Sequence, residues 1–535
     1  MSEHDDPRRG WTRQQILRGA GGLAGAMVLG GGLAACGGGS GSGTSGSTTS
    51  GGSPRPGGTL HLALTDTSAS ETLDPANPAY GSQFVLFGLL YNRLISADYQ
   101  TWELKPELAE SWDSSADLRK FQIKLRQGVE FHNGQPLTAD DVVWTLQRIL
   151  NPKVGSSAYA RAVMSMTPSG LKAVDKHTVE ISLTRPDSQL PHLLSRAQVA
   201  IVPKGANSFT VSSSNGTGPF KLQSWQAATS WSVTKNPNYW ESGLPYLDGV
   251  QMVINTDSAS RVQGVTSGQF DLAEEIDFSS AKTLEGQSTV QLLPFPKGIS
   301  RLVVMDCSKK PFTDTRVREA FKLAMNRPLA VNSMYSGFAV PTTDLLIPPD
   351  DPFYPPGLGV RPYDPEKAKH LLASAGYPNG ISLPLLASTV YSGFSELAQT
   401  YAQSAAPAGI RASVKLSAPT TYFDQVWLKQ PFYMTYWETF FPPDDLWYVY
   451  GPNASYNEAK LKLPQVTQAF NGVMATTDKQ KQISLTQDVL AMLAQDWGHI
   501  VPGNAKSPWI AGPRLHGVVG DPPAFRVLLT KAYLT

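Results

Sequence analysis

From Thr59 onward the chain alternates short strand-like runs with longer stretches of helical period. Thr59-Leu60-His61-Leu62-Ala63-Leu64 reads as a half-buried strand. Phe121-Gln122-Ile123-Lys124-Leu125 alternates in the same way and leads into Gly128 and an Asn133-Gly134 turn. Thr138 then caps a helix whose first turn holds Asp140 and Asp141, the acids favoured at the positive end of the helix dipole. Val142, Val143, Leu146, Ile149 and Leu150 follow at helical spacing. Adjacent helix positions point apart, so the two acids read as a helix start and not as paired catalytic carboxylates. Further helices are predicted over Thr315–Asn326, Pro365–Ala375, Glu396–Ala406 and Ile483–Ala494. Mixed strands and helices predict an α/β body, and no repeat of roughly 20–50 residues interrupts it.

Ahead of Thr59 the pattern changes. Arg8, Arg9, Arg13 and Arg18 form a basic front, and an uncharged apolar run from Ala20 ends in Leu33-Ala34-Ala35-Cys36. Residues 1–35 therefore read as a lipoprotein signal peptide, too short in its apolar part to span a bilayer, with Cys36 as the lipidation site. In Thr12-Arg13-Gln14-Gln15-Ile16-Leu17-Arg18, Gln14 replaces the second arginine of a twin-arginine signal, which leaves both export routes open. Residues 36–56 are rich in Gly and Ser and are expected to form a flexible tether. Gly41-Ser42-Gly43-Thr44-Ser45-Gly46 fits a dinucleotide-loop pattern only formally, since no strand precedes it and no helix follows. The expectation is an extracytoplasmic body anchored through lipid to the outer face of a bacterial cell membrane.

Length and composition narrow the function. A chain of 535 residues exceeds one hydrophobic core, so two or three lobes are expected. With residues 1–35 removed, 41 basic and 41 acidic residues remain, a balance that argues against nucleic acid as partner. Cys36 and Cys307 are the two cysteines, too few for a disulfide framework, and Cys307 reads as a small buried apolar residue. The chain has no Walker loop, so ATP hydrolysis belongs to another chain, and it has no G-x-S-x-G elbow or H-E-x-x-H helix. No two of the 8 histidines sit at metal-ligand spacing, and His132 beside its turn reads as a structural hydrogen-bonder. Neither an enzyme nor a cofactor or metal is indicated.

Five blocks in order resemble the peptide/nickel-type extracytoplasmic solute-binding proteins of ABC importers, family 5. Leu104 to Trp112 with Gly128 to Val142 form the first, and Gly216 to Leu222 with Asn236-Pro237-Asn238-Tyr239-Trp240 the second. Ser267 to Leu272, Pro311 to Ala320, and Tyr363 to Lys369 with Ala375-Gly376-Tyr377-Pro378 complete the set. The resemblance implies a two-lobed periplasmic-binding-protein type II clamp with an extra inserted subdomain. Lobe I would comprise 57–88, 214–294 and 504–535, the inserted subdomain 89–213, and lobe II 295–503. It also implies a small-molecule ligand held between the lobes and ABC permease subunits, with a separate ATPase, as partners.

The window Thr421–Tyr450 speaks to the ligand. It holds twelve aromatic residues in thirty, where the chain average of 10% predicts three. Lys429 is its one base, against Asp424, Glu438, Asp444 and Asp445, and Pro442-Pro443 divides it, so part is expected to be loop. Tyr436, Trp437, Phe440 and Trp447 are the expected ring contacts, Glu438 a polar contact, and Tyr80 a facing residue from lobe I. In peptide-binding members of the family a Trp followed three residues later by Asp holds the ligand's amino terminus; Trp437 fits, but Phe440 stands at the Asp position. The segment Leu371 to Ile410, which would supply a base for the ligand's carboxylate, has no Lys or Arg. A buried unpartnered charge costs several kcal/mol, so a dipeptide is disfavoured. An oligopeptide whose ends leave the pocket is the leading expectation and an oligosaccharide stacked on rings the alternative. A secreted hydrolase or a cell-wall interaction protein is the remote one.

Overall fold

The strand Thr59–Leu64 lies in a seven-stranded sheet, parallel to Gly249–Ile254 on one side and to Leu272–Ala273 on the other. The computed structural model describes residues 54–535 other than 66–70, 79–80, 99–100, 157, 296–297, 392, 419–420, 453, 455 and 522–525. The leader with Cys36, the tether up to residue 53, and Tyr80 lie outside the described residues. Leu60, Leu62 and Leu64 are fully buried, and strands Phe220–Gln226, Ser230–Lys235, Gln291–Phe295 and Ser507–Ala511 complete the sheet.

A second, antiparallel sheet has four strands in the order Ala109–Ser114, Lys120–Leu125, Thr178–Leu183, Met166–Asp175. Phe121, Ile123 and Leu125 are buried and Lys120, Gln122 and Lys124 exposed, as their alternation predicts. The helix Ala139–Ile149 packs behind this sheet and contributes Val142, Leu146 and Ile149 to the same core. Its Asp141 carboxylate accepts from the Thr138 amide and hydroxyl, both at 2.8 Å, and Asp140 meets Lys204 at 3.1 Å. Both acids thus serve the helix start.

The third sheet has five strands, ordered Ile410–Leu416, Ile381–Ala387, Phe432–Glu438, Ile299–Met305, His499–Ile500. The first three run parallel and the last two antiparallel to their neighbours. Helices Thr315–Leu323, Pro365–Ser374, Phe394–Ala405 and Lys479–Asp496 surround it, close to their sequence-predicted spans. The last begins four residues before Ile483, because Asp478 caps it by accepting from the Lys481 amide at 3.1 Å.

The chain passes between the first and third sheets at two neighbouring places. Gln291–Phe295 pairs antiparallel with Ser507–Ala511, and beyond that pair the Gly298 amide donates to the Ala505 carbonyl at 3.1 Å. On the far side of the large sheet, a Cβ on Gly216 would lie 1.9 Å from the Leu90 carbonyl oxygen. Glycine there lets the backbone pass close before strand Phe220–Gln226 begins. His132 closes the same corner. Its Nε2 is 3.1 Å from the Gly218 carbonyl oxygen, its Nδ1 accepts from the Gly216 amide at 3.3 Å, and burial pushes its pKa down to about 4.

Candidate ligand-binding site

Strand Phe432–Glu438 ends beside the crossings, where Glu438, Trp437 and Tyr436 face Ile299, Ser300 and Arg301 across the antiparallel ladder. In open α/β sheets ligands collect outside the carboxyl ends of parallel strands, and here those ends carry half-buried rings. Tyr391, in the turn after strand Ile381–Ala387, stands 4.4 Å from Tyr436, ring centre to ring centre, and their hydroxyls are 3.1 Å apart. Phe423 joins Tyr436 to Trp427, and Trp427 stacks on Tyr456 at 5.5 Å with planes 23° apart. Tyr456 touches Trp437 and Tyr448, and Phe440 closes the belt against both. Trp447 sits edge-on to Tyr448 at 5.2 Å, with its indole Nε1 buried and unbonded.

The sequence-predicted residues therefore divide. Tyr436, Glu438, Phe440 and Trp447 are half-buried in this belt, while Trp437 is only 7% exposed. The Trp437 indole donates at 2.7 Å to Glu458, which is itself buried. Phe432, Tyr433, Tyr422 and Tyr450 are core. Part of the window is loop, as expected: residues 439–441 lie in no strand or helix, and Pro442 and Pro443 then start a short helix, Pro442–Tyr448, because proline fits the first helical positions.

Two further walls face this belt. From the first sheet's side, Glu275 meets Arg301 at 3.0 Å, and Phe278 lies under the Arg301 guanidinium at 5.7 Å. From the second sheet's side, His192 stacks on Phe441 at 3.8 Å, and Trp102 packs on the same ring at 5.7 Å. Trp102 Nε1 donates to Asp351 at 3.0 Å. Arg196 stands 3.8 Å from Asp444 and 5.6 Å from the Tyr448 ring. Burial, with Asp444 and Asp351 beside it, holds the Asp445 carboxyl well above the usual carboxylate range. A small cavity of about 30 Å³, lined by Trp102, His192, Arg196, Gln198, Phe440 and Asp444, remains where these elements meet.

Sequence reasoning missed Tyr391, Tyr456, Glu458 and the His192–Arg196 segment. Tyr391 and Tyr456 lie outside the aromatic-rich window, and a sheet end gathers residues that no local spacing connects. Among the described residues no group of three or more His, Cys, Asp and Glu could hold a metal ion. The site's chemistry is stacking, with acids and bases already engaged with one another.

The chain matches the profile of the bacterial extracellular solute-binding proteins, family 5 Middle, over residues 103–459. It is 31% identical over 351 residues to the glutathione-binding protein GsiB of Escherichia coli strain K12, covering 64% of this chain and 67% of that one. The Helicobacter pylori periplasmic binding protein DppA in complex with the peptide STSA superposes with a TM-score of 0.76 at 22% identity, covering 90% and 98% of the two chains. AgaA of A. tumefaciens R10 in complex with agropinic acid gives 0.75 at 24% identity, covering 89% and 99%. NikZ of Campylobacter jejuni in complex with Ni(L-His) gives 0.75 at 20% identity, covering 86% and 95%. At these identities the structures speak to fold, and they carry ligands of different chemistry.

Proposed function

The chain belongs to the bacterial extracellular solute-binding proteins of family 5, the substrate-binding components of ABC importers, and we propose that it captures an oligopeptide on the aromatic belt and delivers it to a permease. It works outside the cytoplasm, and among the described residues no helix is long and apolar enough to cross a membrane. In this reading the first sheet is the framework of lobe I (57–88, 214–294, 504–535), the second that of the inserted subdomain (89–213), and the third that of lobe II (295–503). The paired crossings are the hinge, and ligand contacts with both lobes shift the clamp toward its closed state. Lipid on Cys36 holds the body to the membrane, and the ATPase is a separate chain.

The observation that carries the reading is the belt itself: half-buried rings from Tyr391 to Trp447 at the carboxyl end of one sheet, beside the crossings. The charges around it favour a ligand without tightly held ends. Arg301 is already paired with Glu275, Arg196 lies near Asp444, and Phe440 occupies the place of an acid. A short zwitterion would bring two charges into a site whose own charges are engaged, which costs several kcal/mol. A longer peptide keeps its ends in water and lays uncharged backbone and side chains on the rings. GsiB, named for glutathione, and the peptide-loaded DppA are consistent with a peptide ligand. Oligosaccharide is the second reading, favoured by the same missing end partners, because sugar rings stack on aromatic faces.

Thermal-shift titration with dipeptides, tetra- and pentapeptides, glutathione and oligosaccharides tests this. A ligand at one hundred times its dissociation constant adds about 2.7 kcal/mol to folded-state stability. Stabilisation by the longer peptides, with the ligand recovered unchanged, is the expected result. Stabilisation by sugars alone replaces the leading ligand class, and turnover of the ligand would overturn the receptor reading.

A further inference from the structure

Behind the belt lies the buried carboxylate of Glu458. Glu458 is 1% exposed, yet its two oxygens are divided between two tryptophans: Oε1 accepts from Trp427 Nε1, and Oε2 accepts from Trp437 Nε1 at 2.7 Å. His499 Nε2, also fully buried, stands 3.1 Å from the same Oε2. We propose that Glu458 is a positioning residue for ligand selection: it fixes Trp427 and Trp437 in one arrangement and so sets the shape of the face that meets the ligand. This rests on the belt being the ligand site.

Acceptor count singles out a carboxylate at this position. Indole N–H groups only donate, and two of them converge here from different elements, Trp427 after the helical turn Tyr422–Gln425 and Trp437 in strand Phe432–Glu438. An ionised carboxylate is the side chain that accepts at both ends and presents no donor. With its donors directed at Glu458, Trp427 lies flat on Tyr456, and Trp437 turns its edge to Tyr456, Tyr448 and Phe440. The geometry of five rings thus depends on one pair of oxygens. His499 Nε2 lies beside Oε2, and a carboxylate in that position without its polar partners would be costly.

The test is the pair Glu458→Gln and Glu458→Gln with Trp427→Phe in the full chain. The amide keeps one acceptor and turns a donor toward the other indole. Two readouts are needed: hydrogen exchange of the Trp427 and Trp437 indole N–H groups in ¹⁵N-tryptophan protein, assigned with the two Trp→Phe variants, and affinity for tetra-alanine and glutathione. Glu458→Gln is expected to speed exchange at one or both indoles and to weaken binding about tenfold, the scale of one charge-assisted hydrogen bond. The double variant, in which a single acceptor again serves a single indole, is expected to restore affinity to within about threefold of Trp427→Phe alone. Unchanged exchange in Glu458→Gln overturns the proposal, as does affinity that the second substitution fails to restore, because a merely structural carboxylate would not follow the acceptor count. If no probe binds even the native protein, the belt reading of the preceding section falls, and the proposal with it. The exchange data would still record whether the indoles are held.

Discussion

His192 lies flat against Phe441, ring centres 3.8 Å apart and planes 17° from parallel. It joins the second sheet's body to the third's within the wall of the proposed cleft. Burial, with the Arg161 and Lys479 charges adding to it, pushes the His192 pKa down to about 3. The folded protein therefore holds this ring neutral while the unfolded chain takes up a proton near pH 6.5. The unfolded state then binds more protons between about pH 6.5 and 3, so this group's stability contribution is present above that window and is lost as pH falls through it. His192→Phe keeps the stack and removes the proton. Melting temperatures at pH 7 and pH 5 are expected to differ less in the variant than in the native protein; equal differences would contradict the burial argument.

In the second sheet's body, Arg161 and Asp187 form a bidentate pair with 2.8 Å contacts, both side chains fully buried, and Ser165 adds a third bond to the carboxylate at 2.5 Å. Removing one partner leaves a charge without water or counter-charge. Asp187→Asn is expected to cost about 3–5 kcal/mol, measured by urea denaturation. A loss below about 1 kcal/mol, the scale of an exposed pair, would show that water reaches the site.

Phe440→Ala separates binding from folding. Phe440 is half-buried and leans on Trp437 and Tyr448, so its truncation is expected to lower stability by less than the about 3–5 kcal/mol of a core aromatic. Affinity for the peptide that stabilises the native protein is expected to fall at least about tenfold, consistent with the about 1–3 kcal/mol of a buried contact. Trp437→Ala is the contrasting case: at 7% exposure it is expected to lose stability and binding together. Calorimetric titration alongside a melt distinguishes the two.

Cys36→Ala is expected to release the protein from the membrane fraction into the medium or periplasm, as detergent phase partitioning would show. Retention in the membrane would require another anchor.

Patterned and local features were read correctly from sequence. The strand at 59–64, the alternation at 121–125 and the helix opened by Thr138 and Asp141 each depend on neighbours within a few residues, whereas His132, read as a structural hydrogen-bonder from its turn, finds its partners at Gly216 and Gly218, 84 and 86 residues on. The aromatic-rich window falls at the carboxyl end of strand Phe432–Glu438, but its pattern could not separate Tyr433 and Tyr450, which are core, from Tyr436 and Phe440, which are half-buried. That division is made by which strand end meets the crossings, a matter of topology. Tyr391, Tyr456 and Glu458 lay beyond reach for the same reason, and Glu458 in particular looks in sequence like any solvated acid. Trp437, expected as a ring contact, is 7% exposed and has its indole N–H bound to Glu458.

The belt draws most of its rings from a single run of chain, residues 422–456, with Tyr391 added from one turn. The seven-stranded sheet and the paired crossings contribute none of them. With the belt as the proposed ligand site, ligand preference can change within one short stretch of sequence while the seven-stranded sheet and the crossings keep theirs. Grafting that stretch between relatives is the corresponding engineering route, provided the acid at 458 travels with the tryptophans it holds.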